Sequence, residues 1–378
     1  MIGKFDITTL QHLWWLLCSV VGSLFLLLTF VQGGQTLLFT AVHTQEEKAL
    51  VLNSIGRKWE LTFTTLVLFG GALFAAFPKF YATSFGGAYW VWIFILFTFV
   101  IQAVSFEYRK KPDNFLGAKT YEIFLFINGT VGLLLIGAAV GTFFTGSNFQ
   151  LNEYNFVTWK HPLRGLEAAS NVFNLSLGLF LVFLARILGA LYLHNNIDHP
   201  RLSARMARAS FWNLLFSLPF LLYVLVSLLV MDGFAVEPQT GIISMESGKY
   251  LHNLIGVPFN IILLLAGLGL VIWGVVAARF MNSDKGIWFA GLGTVLVGLV
   301  IFFLAGYNHT AFYPSIYDLQ SSLTIYNASS SHYTLTAMSY VALAIPFVLG
   351  YIFYFWSKMD AVKLTAEDLK GENSRVSY

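Results

Sequence analysis

The chain has 378 residues, of which 57% are apolar and 11% charged, against roughly 25% charged in an average soluble domain. Its mean hydropathy is +0.70. The 22 basic and 19 acidic side chains cannot clothe a soluble surface for 42.3 kDa. That excludes a soluble enzyme, a disordered chain and a nucleic-acid binder, and leaves an integral membrane protein.

A helix crosses the hydrocarbon core with about 20 apolar residues. Nine segments meet that length, near 13–38, 59–82, 89–108, 122–145, 168–194, 211–231, 257–280, 287–308 and 335–357. Only Lys4 precedes the first apolar run as a basic residue, and no small-residue cleavage pattern follows that run, so it is read as a retained helix. Nine spans put the termini on opposite sides. One set of loops carries five bases, Lys4, Lys79, Lys160, Arg164 and Lys249, while the other set carries sixteen. The positive-inside rule then predicts an N-terminus outside and a cytoplasmic C-terminus. Tryptophan agrees with this sidedness: Trp14, Trp15, Trp90 and Trp92 fall at outer ends, and Trp59, Trp212, Trp288 and Trp356 at inner ends. The expected organisation is a transmembrane domain over 1–357 and a polar, mobile cytoplasmic tail over 358–378.

Few residues within this frame carry chemistry. The eight histidines lie at span ends or in loops, with no pair facing across a bundle, and the single cysteine, Cys18, excludes a disulfide within the chain. Glu60 follows Trp59 at the inner end of the second span. It reads either as a proton-accepting carboxylate at the mouth of a path or as an acid favoured by the dipole in a first helical turn. Glu107 precedes Arg109, Lys110 and Lys111, a spacing that predicts an inner-rim ion pair; Glu122, opening the fourth span, reads the same way. Arg186 lies within the fifth span. Its side chain tilts toward the outer side, which makes snorkelling inward awkward, so a carboxylate, a lipid phosphate or a neighbouring subunit is a candidate partner. The alternative is a hydrocarbon boundary nearer Gly189. Gly137 and Gly141 in span four, and Thr294 and Gly298 in span eight, mark close-packing faces. Pro219 and Pro346 are expected to bend spans six and nine.

Several stretches together resemble a known family. They are Trp14-Trp15-Leu16-Leu17; Asn53-Ser54-Ile55 with Trp59-Glu60 and the run from Gly70 to Pro78; Phe106-Glu107-Tyr108-Arg109; and Pro314-Ser315 with Ser322-Leu323-Thr324 and Asn327-Ala328-Ser329-Ser330. They look like subunit II of the cytochrome bd quinol oxidases, from end to end. The resemblance implies an all-α fold of two four-helix bundles plus one peripheral helix in a bacterial inner membrane. It also implies a heterodimer with a haem-bearing subunit I, which holds two b-type haems and one d-type haem, oxidises quinol and reduces oxygen to water. Subunit II stabilises that partner and helps line a proton path. A structural quinone or lipid on subunit II is known in the family, and a small accessory subunit is compatible with it. The family's acid after the second-span Trp is Glu60 here. Its first-span Asp-Gly-Phe-Asp reads Thr29-Phe30-Val31-Gln32, so the acid is replaced by Gln32, an amide that does not titrate near neutral pH. Any path then rests on Glu60 and subunit I, or on Gln32 through ordered water. A secondary transporter and a purely structural assembly subunit are the competing readings.

Overall fold

The computed structural model describes residues 2–111 and 113–369; residues 370–378 of the expected tail lie outside them. Nine apolar helical spans are present among the described residues: Ile7–Leu37, Gln45–Ala76, Tyr89–Tyr108, Ala118–Thr145, Val172–Asn196, Pro200–Val230, Pro258–Phe280, Gly286–Gly306 and His332–Met359. Spans one to four form one bundle and five to eight the other, and span nine lies at the periphery. Capping chemistry explains where several helices begin. Asp6 accepts from the Thr9 amide, Thr44 and Glu47 form a capping box, Asn171 caps Phe173 and Asn174, and Ser331 caps Thr334. The connections at the end opposite the basic loops fold into three short antiparallel hairpins, Phe149–Leu151 with Val157–Trp159, Gly233–Val236 with Ile243–Glu246, and Ala311–Tyr313 with Leu323–Thr324.

Two helices extend well beyond their apolar stretches. Span two begins with Gln45–Gly56 before the expected start at Trp59, and span six begins at Pro200, not near 211. Both extensions lie at the basic end and carry polar residues, so hydropathy locates the hydrocarbon but not the helix. Other spans are interrupted. Span one breaks at Thr29 between Ile7–Leu28 and Phe30–Leu37, and span four carries a π-turn at Asn128–Gly132. Pro219 lies inside one continuous helix. Span nine breaks at Leu343–Ala344, between His332–Ala342 and Ile345–Met359, and Pro346 sits in the first turn of the second helix, where a missing N–H costs no helical bond.

The small residues are spent on close packing. A methyl group built on Gly137 would fall 2.5 Å from the Cα of Gly178, and one on Gly141 would fall 2.3 Å from Asn174 Oδ1, so this pair seats span four on span five. Gly298 meets Ser23 of span one in the same way, at 2.8 Å. The tightest approach is at Gly33, where an added Cβ would stand 1.7 Å from the carbonyl oxygen of Ala185. Backbone meets backbone there and neither helix can yield. Gly33→Ala is therefore expected to lower stability by about 3 kcal/mol or more, read as a fall in thermal midpoint and yield in detergent. Gly71→Ala, with nothing within 4 Å of its Cβ, is the control and should be neutral.

The segment after span nine docks back onto the bundle. Leu364 pairs with Ile197 in a parallel bridge and is 4% exposed. Lys363 meets Asp284 at 3.0 Å, and this hydrogen bond holds the Asp284 carboxyl below its ordinary range. Of the segment read as a tail, Lys358 and Met359 end the ninth span and residues 360–364 form a strap across the basic end.

Candidate proton path and ionic hubs

Glu122, at the start of span four, is 3% exposed. Its Oε2 accepts from Lys48 Nζ at 2.8 Å, and its Oε1 accepts from Arg109 Nη2 at 2.8 Å and Nε at 3.1 Å. The three side chains tie spans two, three and four together at the basic end. Glu107 does not make the expected pair. It points outward, and among the described residues it has no ion-pair partner, because span three turns Arg109 inward to Glu122.

Above this hub, span three presents Ser105, Gln102 and Thr98 on the same face as Arg109, at steps of four, three and four. Gln102 and Ser105 are wholly buried, as are Gln32 and Gln35 on span one and Asn128 in the π-turn of span four. The neighbours are traceable. The Gln32 carbonyl touches Gly129, beside Asn128, and Asn128 Nδ2 donates to Thr98 Oγ1 at 3.4 Å, one turn from Gln102. Both amide atoms of Gln32, Gln35 and Gln102, and Asn128 Oδ1, have no hydrogen-bond partner within the described chain. Burying an amide without a partner costs on the order of 1–3 kcal/mol. Seven such atoms are buried in the bundle of spans one to four, and ordered water between them would satisfy them.

Trp59 stacks on Phe106, with centroids 6.0 Å apart, one turn from Gln102. Its Nε1 is also buried and unpartnered. Glu60 is exposed at the rim, in the first turn of the helix Trp59–Ala76. A second hub joins the break within span two to the ends of spans five and nine. Lys58 Nζ meets Asp360 Oδ1 at 2.7 Å, and Asp360 also accepts from Asn196 Nδ2 at 3.0 Å and Trp356 Nε1 at 2.7 Å. Lys58 and Asp360 are 302 residues apart, and nothing local in the sequence announces the pair.

Arg186 finds no carboxylate among the described residues. Its Nε donates to Asn213 Oδ1 at 2.7 Å, its Nη1 to Thr36 Oγ1 at 2.8 Å and to the Thr36 carbonyl at 3.2 Å, and its Nη2 to Thr40 Oγ1 at 3.0 Å. Ala185 packs at the level of Gly33, so Thr36 and Thr40 lie nearer the basic end than Arg186 itself. The side chain does reach inward, against the Cα–Cβ tilt, because three extended methylenes and the guanidinium beyond them outweigh one bond direction.

Haem needs an axial ligand facing a cavity. The histidines here are otherwise engaged: His12 stacks on Tyr307, His194 bonds Ser203 and His199 caps Leu202. The apolar cavity among spans one to four and eight, lined by Phe25, Phe69, Phe85, Trp92, Phe143 and Phe302 among others, has neither His nor Met in its wall. Among the described residues no group of three His, Cys, Asp or Glu side chains stands together as metal ligands.

Nine spans, two bundles and paired charges at one end define a multi-pass membrane subunit. The family model for cytochrome bd terminal oxidase subunit II matches residues 10–359, and the chain belongs to that family, a component of respiratory quinol oxidases. It is 28% identical to cytochrome bd-I ubiquinol oxidase subunit 2 of Escherichia coli (strain K12), covering 97% of this chain and 98% of that protein. It is 26% identical to cytochrome bd ubiquinol oxidase subunit 2 of Bacillus subtilis (strain 168), covering 90% and 93%. Its fold is similar to a chain of the bd oxidase from Geobacillus thermodenitrificans, with TM-score 0.53, 13% identity and coverage of 94% and 98%. The transporter reading falls with this membership.

Proposed function

We propose that this chain is the haem-free partner of a haem-bearing subunit I in a quinol:oxygen oxidoreductase, and that it both stabilises that subunit and conducts protons toward it. The observation carrying the second role is the row of seven unpartnered buried amide atoms. Amides do not titrate near neutral pH, so Gln32, Gln35, Gln102 and Asn128 hold water, and the water relays the proton. Each water takes a proton from one neighbour and passes another onward, leaving every amide unchanged.

The entrance lies on the Trp59 side. The Glu122 hub holds two cations against one carboxylate, and its net positive charge raises the barrier to a hydronium ion there. Glu60, unpaired among the described residues and exposed, collects protons from the cytoplasm at the rim and hands them past Trp59. The sidedness rests on the concentration of basic residues at this end, with the N-terminus outside. The exposed apolar faces of spans two, three and nine, including Val67, Phe74, Phe97 and Phe353, receive subunit I. The apolar cavity among spans one to four and eight suits the isoprenoid tail of a structural quinone.

Glu60→Gln should slow quinol-driven oxygen consumption by about tenfold at most while haem content stays intact. Unchanged turnover would remove Glu60 from the path and favour the purely structural role that the ionic hubs by themselves support.

A further inference from the structure

Arg186 carries a positive charge that the chain does not neutralise. Every partner it has is neutral, and of its five N–H groups one on Nη2 has no acceptor among the described residues. Its neighbour Arg205 is neutralised by Glu47, so that carboxylate is already spent. The guanidinium lies at the level of the last turn of span one, beside exposed Thr40, which is the depth of lipid headgroups. Arg208, exposed one turn from Arg205, adds a second positive charge on the same helix.

A second observation points toward the membrane centre. Phe183 is three residues before Arg186, on the same face of span five and one turn deeper. It touches Phe220 at 5.8 Å and Phe216 at 6.2 Å between ring centroids, and Phe216 meets Trp212 at 6.1 Å. Trp212 and Phe216 are 50% and 55% exposed. An aromatic ladder thus descends from the cation along the outer groove of spans five and six. A cation with a hydroxyl at headgroup depth, above an apolar track, matches a phosphodiester with an acyl chain.

We propose that Arg186, with Thr40, binds the phosphate of an anionic phospholipid of the cytoplasmic leaflet, and that its acyl chain lies along Phe183, Phe216 and Phe220. The lipid supplies the negative charge that the fold omits and clamps the joint of spans one, five and six.

Native mass spectrometry of the purified full chain, with the partner that copurifies, tests this after delipidation and addition of phosphatidylglycerol or phosphatidylcholine. Phosphatidylglycerol should be retained about fivefold or more over phosphatidylcholine, and Arg186→Gln should abolish the preference. Arg186 also ties three spans together, so Trp212→Ala, on an exposed side chain, serves as the second variant and should weaken retention of both lipids. Equal retention of the two lipids, an undiminished preference in Arg186→Gln, or displacement of phosphatidylglycerol by inorganic phosphate would each overturn the assignment.

Discussion

Gln102→Leu is expected to slow quinol-driven oxygen consumption by about tenfold or more, about 1.4 kcal/mol on the barrier, with haem content and thermal midpoint preserved. Leucine fills a similar volume and makes no hydrogen bond, so it dries the site where Gln102 now holds both amide atoms unpartnered. Replacing a polar group whose partners are lacking by an apolar one of like shape is near neutral or stabilising. The two readouts therefore move apart, which a merely structural glutamine would not produce. Gln32→Leu should behave alike, because Gln32 on span one is equally buried and unpartnered. Gln102→Glu replaces the amide with a titratable acid of the same length and should retain turnover. Wild-type rates in both leucine variants would show that protons bypass this chain.

Glu122→Gln should destabilise the protein by about 3–5 kcal/mol, the cost of breaking a buried ion pair by removing one partner. Lys48 and Arg109 are left facing a neutral amide, with only 18% and 12% of their side chains exposed and little water to compensate. The measurement is the thermal midpoint of the detergent-purified protein. Glu107→Gln, on an outward-pointing carboxylate of the adjacent span, is the control and should leave the midpoint in place. An unchanged midpoint in Glu122→Gln would mean that solvent already reaches the hub.

The nine spans were legible because each needs about 20 consecutive apolar residues, and basic residues and tryptophans mark their ends. The helical extensions Gln45–Gly56 and the first residues of Pro200–Val230 were not, because they carry polar and charged residues, and those of Gln45–Gly56 such as Glu47, Asn53 and Ser54 are buried against protein and not lipid. Glu60, Trp59 and Gln32 stand out through neighbouring motifs; Gln32 is buried, Trp59 stacks on Phe106 and Glu60 is exposed. Gln35, Gln102 and Asn128 carried a readable signal that went unused: a lone amide inside an apolar span is costly. The two hubs had no such signal. Glu122 and Lys48 are 74 residues apart, and Asp360 looked like the start of a tail until span nine brought it to Lys58. Arg186 was conspicuous, but its neutral partners depend on how span one ends against span six.

The proposed role requires that this chain carry no haem and serve a partner that does. Reduced-minus-oxidised absorption spectra test it, recorded on the full chain purified alone and on the chain purified with whatever it holds in mild detergent. Bands of b and d type are expected only in the second preparation, together with a haem-bearing polypeptide of comparable size. Haem bands in the chain alone, or a colourless homo-oligomer as the sole assembly, would contradict it.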